Sequence, residues 1–307
     1  MSLKRKHLLS TKDLQISEVE DILQNAKSFK EVSEREIKKV PTLRGKTVIN
    51  LFLEDSTRTR TSFEIAGKRL SADVINISKG GSSVSKGESL LDTAKTLEAM
   101  NPSVLVVRAK QSGFPEILSK HLNCSVINGG DGTHEHPTQA LLDLYTLVER
   151  CGSVKGMKVA IVGDIAHSRV ARSNLYLLKT MGAEVHLVGP ASLLPAEVEG
   201  FGAKVSYDLM EGIHDADAIM MLRIQKERVG LPSFPSVREY SRFYGLDKTK
   251  LARCKKDVVI LHPGPVNRGI EISPDVADGK HSVILDQVAN GVAVRMAILY
   301  LLGEYKD

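Results

Sequence analysis

The chain has 307 residues, about twice a typical domain length, with 42% hydrophobic and 26% charged residues, so two domains, each with a core of its own, are expected. A net charge of +5, with Lys and Arg spread along the chain rather than gathered in blocks, excludes a basic nucleic-acid tail and suits acidic small molecules. No apolar run of the roughly 18 to 20 residues of a membrane span stands out, and Met1–His7 is not followed by a signal-peptide pattern, so a soluble cytoplasmic protein with no membrane or nucleic-acid partner is expected.

In chain order, β-branched and aliphatic runs alternate with longer amphipathic segments, the pattern of parallel strands joined by crossover helices. The expected fold class is α/β. Strands are predicted at 47–53, 73–77, 103–107 and 125–128, and then at 158–162, 184–188, 204–206, 216–222 and 257–261. Pro137 opens a helix in which Leu141, Leu144, Tyr145 and Val148 recur at helical spacing, ending near Cys151 and Gly152. The domain boundary is therefore set near residue 150. A final helix is expected from Asp286, as N-cap, with Val288, Val292, Met296 and Leu299 toward a core. Cys124, Cys151 and Cys254 are odd in number and far apart, which argues against disulfides and metal pairs and predicts small buried hydrophobes.

Ligands of open parallel sheets bind beyond the carboxyl ends of the strands. Arg108, Arg223 and His262 each follow a predicted strand, which suggests a shared anionic site. The first strand leads through Glu54 and Asp55 into Ser56-Thr57-Arg58-Thr59-Arg60, then Thr61-Ser62-Phe63-Glu64. Hydroxyls, guanidinium forks and the free amides of a helix start all favour a phosphate. The same residues also suit a Ser-capped helix with surface arginines.

The run STRTR followed by SFE resembles the carbamoyl phosphate motif of the aspartate and ornithine carbamoyltransferases, and His136-Pro137-Thr138-Gln139 is similar to that family's HPTQ. The resemblance extends over essentially the whole chain. It implies two domains, each a parallel sheet flanked by helices, with the active site in the cleft between them. Residues 1–150 would bind carbamoyl phosphate, 151–285 would bind the amino acid, and a C-terminal helix over 286–307 would pack back on the first domain.

By that resemblance Ser56, Thr57, Arg58 and Thr59 hold the phosphate; Thr59, Arg108 and His136 reach the carbamoyl oxygen; and Gln139 binds the carbamoyl nitrogen. Gly264 and Pro265 would add backbone contacts. Lys86, in a Gly/Ser-rich stretch, looks like the loop lysine of the aspartate enzymes, which enters the neighbouring subunit's site and implies a homotrimer. Arg169, Arg223 and Gln225 match residues that grip aspartate, and two guanidiniums suit a dicarboxylate, whereas ornithine carries a cation they would repel. His262-Pro263-Gly264-Pro265 resembles the aspartate enzymes' HPxP, with Gly264 where some members have Leu; neither the His-Cys-Leu-Pro nor the Ser-Met-Gly element of the ornithine enzymes is present. Asp55 stands where the family commonly has Pro.

Carbamoyl transfer from carbamoyl phosphate to L-aspartate, without a cofactor, is the expected function, with a transferase for another amino acid such as ornithine, or a non-catalytic homologue, as alternatives. The resemblance leaves room for regulatory or dihydroorotase chains as further partners. A dinucleotide site after Val162 lacks the G-x-G-x-x-G spacing, His134 and His136 have no matching ligand cluster for a metal, and no G-x-S-x-G elbow appears.

Overall fold

The aliphatic runs separate into two parallel sheets, one in each of two units of the chain. The structure, a computed structural model, describes residues 4–78, 88–195, 200, 202–224 and 236–305. The first unit comprises Met1–Tyr145 and Val288–Asp307, and the second Thr146–Gln287. The division thus falls within two helices.

The first unit runs α1 (Ile16–Glu34), β1 (Thr47–Phe52), α2 (Thr57–Arg69), β2 (Asp73–Ser78), α3 (Leu90–Glu98), β3 (Val104–Ala109), α4 (Phe114–Ser119), β4 (Ser125–Asp131) and α5 (Pro137–Cys151). The second continues with β5 (Lys158–Val162), α6 (Arg169–Thr180), β6 (Glu184–Val188), β7 (Lys204–Ser206), α7 (Leu209–Ile213), β8 (Ala218–Met221), α8 (Val237–Tyr244), α9 (Lys248–Leu251), β9 (Val259–Leu261) and α10 (Pro274–Ala277). The last helix, α11 (Ile284–Gly303), carries the chain back into the first unit.

The strand orders are β2-β1-β3-β4 and β7-β6-β5-β8-β9. Central strands are apolar on both faces because helices cover both: Val104, Leu105, Val106 and Val107 of β3 are all buried, each worth about 1.5–3 kcal/mol relative to exposure. Both sheets reverse direction of winding once, between β1 and β3 and between β5 and β8. In open parallel sheets ligands commonly bind beside such reversals.

Several expectations are corrected. Arg108 lies inside β3, which starts one residue later than predicted and runs on to Ala109, so it does not follow the strand. The last helix starts at Ile284 rather than at Asp286, and Val288 is 52% exposed, whereas Met296 and Leu299 are buried. Periodicity failed there because residues 293–299 are buried all round, so no single stripe defines the helix. By length and composition Ile284–Gly303 is apolar enough to cross a membrane, with a window hydropathy of 1.3, but 61% of that window is buried within the protein. Cys124 is buried and desolvation pushes its thiol up to about 11, but Cys151 is exposed and Cys254 half-buried.

Candidate active site

In the first unit, Phe52 at the end of β1 is the register partner of Arg108, and the N–H of Leu53 donates to the Arg108 carbonyl at 2.9 Å. The chain therefore leaves β1 beside Arg108 at the winding reversal and enters α2 five residues later. Ser56 caps that helix with extended backbone, yet its hydroxyl makes no capping bond. Because the first helical bond runs from Arg60 N–H to the Ser56 carbonyl at 3.3 Å, the amides of Thr57, Arg58 and Thr59 precede any intrahelical acceptor. The first turn contains no acidic residue, so the positive end of the helix dipole is unopposed there. Thr57 and Arg58 are exposed, Ser56 and Arg60 half-buried, and Thr59 buried.

Among the contacts of Arg108, Nη1 donates to the Gly129 carbonyl at 3.2 Å, and Nε lies 3.7 Å from Glu54 Oε2. The next element along the sheet supplies His136, whose carbonyl accepts from the N–H groups of Gln139 at 3.0 Å and Ala140 at 3.3 Å, the first bonds of α5. His136 and Gln139 are both buried. The Gln139 Nε2 donates to Asp143 Oδ1 at 2.9 Å, one helical turn on.

The turn that delivers His136 is built by two buried carboxylates. Asp131 Oδ1 accepts from Asn128 Nδ2 at 2.8 Å and from the Glu135 N–H at 3.1 Å, while Oδ2 accepts from the Gly113 N–H at 2.6 Å and pairs with His134 Nδ1 at 3.0 Å. Burial pushes the Asp131 carboxyl up, but the bonds from His134, Asn128 and Gly113 outweigh it and leave the group below the usual carboxylate range. Glu135 Oε2 accepts from both the N–H and the hydroxyl of Thr11 at 2.8 Å, and Oε1 accepts from the Ser10 hydroxyl. The N-terminal segment is thereby fastened to the residue that precedes His136.

In the second unit, β5 and β8 flank the reversal, and the two arginines expected to grip the amino acid lie in the connections that follow these two strands. Arg169 is the first residue of α6 and is buried; Ser168 caps the helix by accepting from the Ala171 N–H at 3.1 Å. The preceding turn is ordered by buried Asp164, whose Oδ1 accepts from the His167 N–H at 3.2 Å and meets His167 Nδ1 at 2.8 Å. Arg223 is half-buried, two residues past β8, and the adjacent Leu222 N–H donates to the Val162 carbonyl at 2.8 Å. Gly163, at φ +131°, is needed where these exits approach: a Cβ there would stand 2.8 Å from the Leu222 carbonyl.

His262 does follow its strand, but its ring is committed to shaping the loop. Nδ1 accepts from the Gly264 N–H at 2.8 Å, so the ring carries its hydrogen on Nε2, which donates to Glu271 Oε1 at 3.1 Å. Both residues are buried. Of the three basic residues expected just beyond strand ends, Arg108 thus lies within its strand, His262 is turned to its loop, and Arg223 alone keeps the expected place. Gly264 sits at φ +68°, a conformation glycine takes without Cβ strain, and the Gly264–Pro265 peptide is cis.

The structure brings Ser56, Thr57, Arg58, Thr59, Arg108, His136 and Gln139 into one unit, and places Arg169, Arg223, Gly264 and Pro265 in the other. Lys86 and Gln225 lie outside the described residues. The supports Asp131, Glu135, Asp143, Asp164 and Glu271 were not singled out from sequence. Asp143 alone had a local signal, the i,i+4 spacing from Gln139 on one helix.

Residues 6–149 match the family described as "Aspartate/ornithine carbamoyltransferase, carbamoyl-P binding domain" and residues 155–302 that described as "Aspartate/ornithine carbamoyltransferase, Asp/Orn binding domain". The chain is 61% identical over 302 residues to an aspartate carbamoyltransferase catalytic subunit of Syntrophus aciditrophicus (strain SB), covering 98% of each. Among solved structures it resembles aspartate transcarbamoylase from Trypanosoma cruzi in complex with carbamoyl phosphate and aspartate, with a TM-score of 0.89, 29% identity and coverage of 98% and 97%. An ornithine carbamoyltransferase from Pyrococcus furiosus is similar at a TM-score of 0.87, with 29% identity and 100% coverage of both chains.

Proposed function

The chain belongs to the aspartate/ornithine carbamoyltransferase family, and from that premise we propose that it transfers the carbamoyl group of carbamoyl phosphate to the amino group of L-aspartate, giving N-carbamoyl-L-aspartate and phosphate. The observation that carries the choice of acceptor is that Arg169, first residue of the helix after β5, and Arg223, two residues past β8, both lie in the connections that follow the strands flanking the reversal in the second unit. Two guanidiniums pair with two carboxylates, whereas ornithine would bring a second cation.

In this reading the amides of Thr57–Thr59, the hydroxyls of Ser56 and Thr57 and the Arg58 guanidinium take the phosphate. Thr59, Arg108 and His136 donate to the carbamoyl oxygen, Gln139 takes the nitrogen, and Gly264 and Pro265 offer backbone carbonyls. The aspartate nitrogen attacks the carbamoyl carbon with its lone pair, charge gathers on the carbonyl oxygen, and the bond to the phosphate oxygen then breaks. Donors already directed at that oxygen lower the barrier because the charge is greatest in the transition state. The amine proton passes to the departing phosphate, the base closest to it chemically.

Gln225 joins the aspartate ligands, and Lys86 from a neighbouring chain completes the site in a cytoplasmic homotrimer, the arrangement its relatives' pattern implies; regulatory or dihydroorotase chains would add to that unit. Residues 1–150 supply the carbamoyl phosphate half and 151–285 the aspartate half. Mixing two inactive chains, Lys86→Gln and His136→Ala, tests the sharing: restored activity is expected, and its absence in mixed trimers would remove the shared site. Phosphate release from carbamoyl phosphate tests the reaction itself, with release on addition of L-aspartate expected, and release with ornithine alone contradicting the assignment.

A further inference from the structure

The first unit buries one cation that the reaction does not use. Arg295, on α11, is buried, and its Nη1 donates to Ser62 Oγ at 2.9 Å and to the Gly291 carbonyl at 3.3 Å, with the guanidinium carbon 5.2 Å from the centre of the Phe63 ring. Ser62 and Phe63 belong to α2, the helix that begins at the phosphate loop. Helix α5 packs against the same turn of α11: a Cβ on Gly291 would meet Arg295 Nη1 at 2.8 Å and the side chain of Leu142, the neighbour of Asp143, at 3.1 Å. Burial pulls the Arg295 guanidinium down to about 10, and the charge of Asp143 opposes that pull.

Asp143 is fully buried and accepts from Gln139 Nε2 at 2.9 Å. An ionised carboxylate has no hydrogen to give, so only the amide NH₂ of Gln139 can face it, and the amide oxygen is turned the other way. A protonated carboxyl could instead donate to that oxygen and reverse the amide. A cation in the same dry environment favours the ionised form.

We propose that Arg295 and Asp143 are positioning residues that fix the polarity of the carbamoyl-nitrogen subsite, holding Gln139 with its amide oxygen toward the ligand so that the site accepts hydrogen bonds from an NH₂ group. This rests on the reading of Gln139 as the carbamoyl-nitrogen ligand. It makes the subsite selective for an amide over a methyl ketone of the same shape. Asp143→Asn removes the acceptor-only partner: the new amide turns its NH₂ to the Gln139 oxygen, and Gln139 then presents NH₂ to the ligand's own NH₂.

The test is calorimetric binding of two stable phosphonates that differ only as NH₂ against CH₃, phosphonoacetamide and acetonylphosphonate, with inorganic phosphate as the reference ligand. Wild type is expected to prefer the amide, Asp143→Asn to lose about tenfold or more of that preference, and phosphate affinity to stay within about twofold. Arg295→Met shifts the ratio the same way and Arg295→Lys, which keeps the cation, retains it. An unchanged ratio in folded Asp143→Asn or Arg295→Met, or a uniform loss of all three ligands, overturns the proposal. Phosphate release by wild type with carbamoyl phosphate and aspartate is measured alongside, and its failure would count against the reaction rather than against the subsite.

Discussion

The carbonyl oxygen of Leu222 stands 2.8 Å from the point where a side chain on Gly163 would begin. This approach binds the exits of β5 and β8, which lead to Arg169 and Arg223, into one turn. Gly163→Ala must strain φ at +131° or part the two exits. A loss of about 1–3 kcal/mol is expected in urea unfolding, together with a raised KM for aspartate. Unchanged KM would separate the turn from the amino-acid site.

Arg223 is half-buried and carries a proposed aspartate carboxylate contact. Arg223→Gln should raise the KM for aspartate by about 30-fold or more, while inhibition by inorganic phosphate, whose proposed ligands belong to the other unit, stays the same. Steady-state kinetics with aspartate varied and a phosphate inhibition series decide this together.

His136, held at the start of α5 by the Asp131 and Glu135 networks, should contribute mainly in the transition state. His136→Ala is expected to lower kcat by about 10²- to 10³-fold with phosphate binding retained. Equal losses in phosphate affinity would point to a damaged turn instead.

At the N-terminus, Arg5 Nε donates to Glu18 Oε1 at 2.8 Å, and the Gln15 N–H donates to Glu18 Oε2 at 3.0 Å. The bond from Arg5 holds the Glu18 carboxyl below its ordinary value of 4.5. Since the unfolded chain titrates near that ordinary value, the stability from this pair is complete above it and is lost as pH falls through the lower folded value. Glu18→Gln should therefore cost about 1 kcal/mol at pH 7, and urea midpoints of variant and wild type should converge as pH drops below 4.5.

Much of the fold was legible because its strands are short aliphatic runs between turn residues, and the helix start at Ser56–Thr57 because hydroxyl residues that suit a cap follow the first strand there. Strand order was not legible. Only the pairing of Phe52 with Arg108, and of Val162 with Met221, shows which strands adjoin at the two winding reversals. His262 was misread for a related reason, since its sequence position is that of a ligand while its partner Glu271 is reached only through the fold. The bond from Arg295 to Ser62 joins residues far apart in sequence, and nothing local marks it.

The most direct test supplies ¹³C-carbamoyl phosphate to the protein with equimolar L-aspartate and L-ornithine and identifies the labelled product by NMR. The account predicts N-carbamoyl-L-aspartate as the product, formed together with phosphate. Citrulline as the labelled product would contradict it.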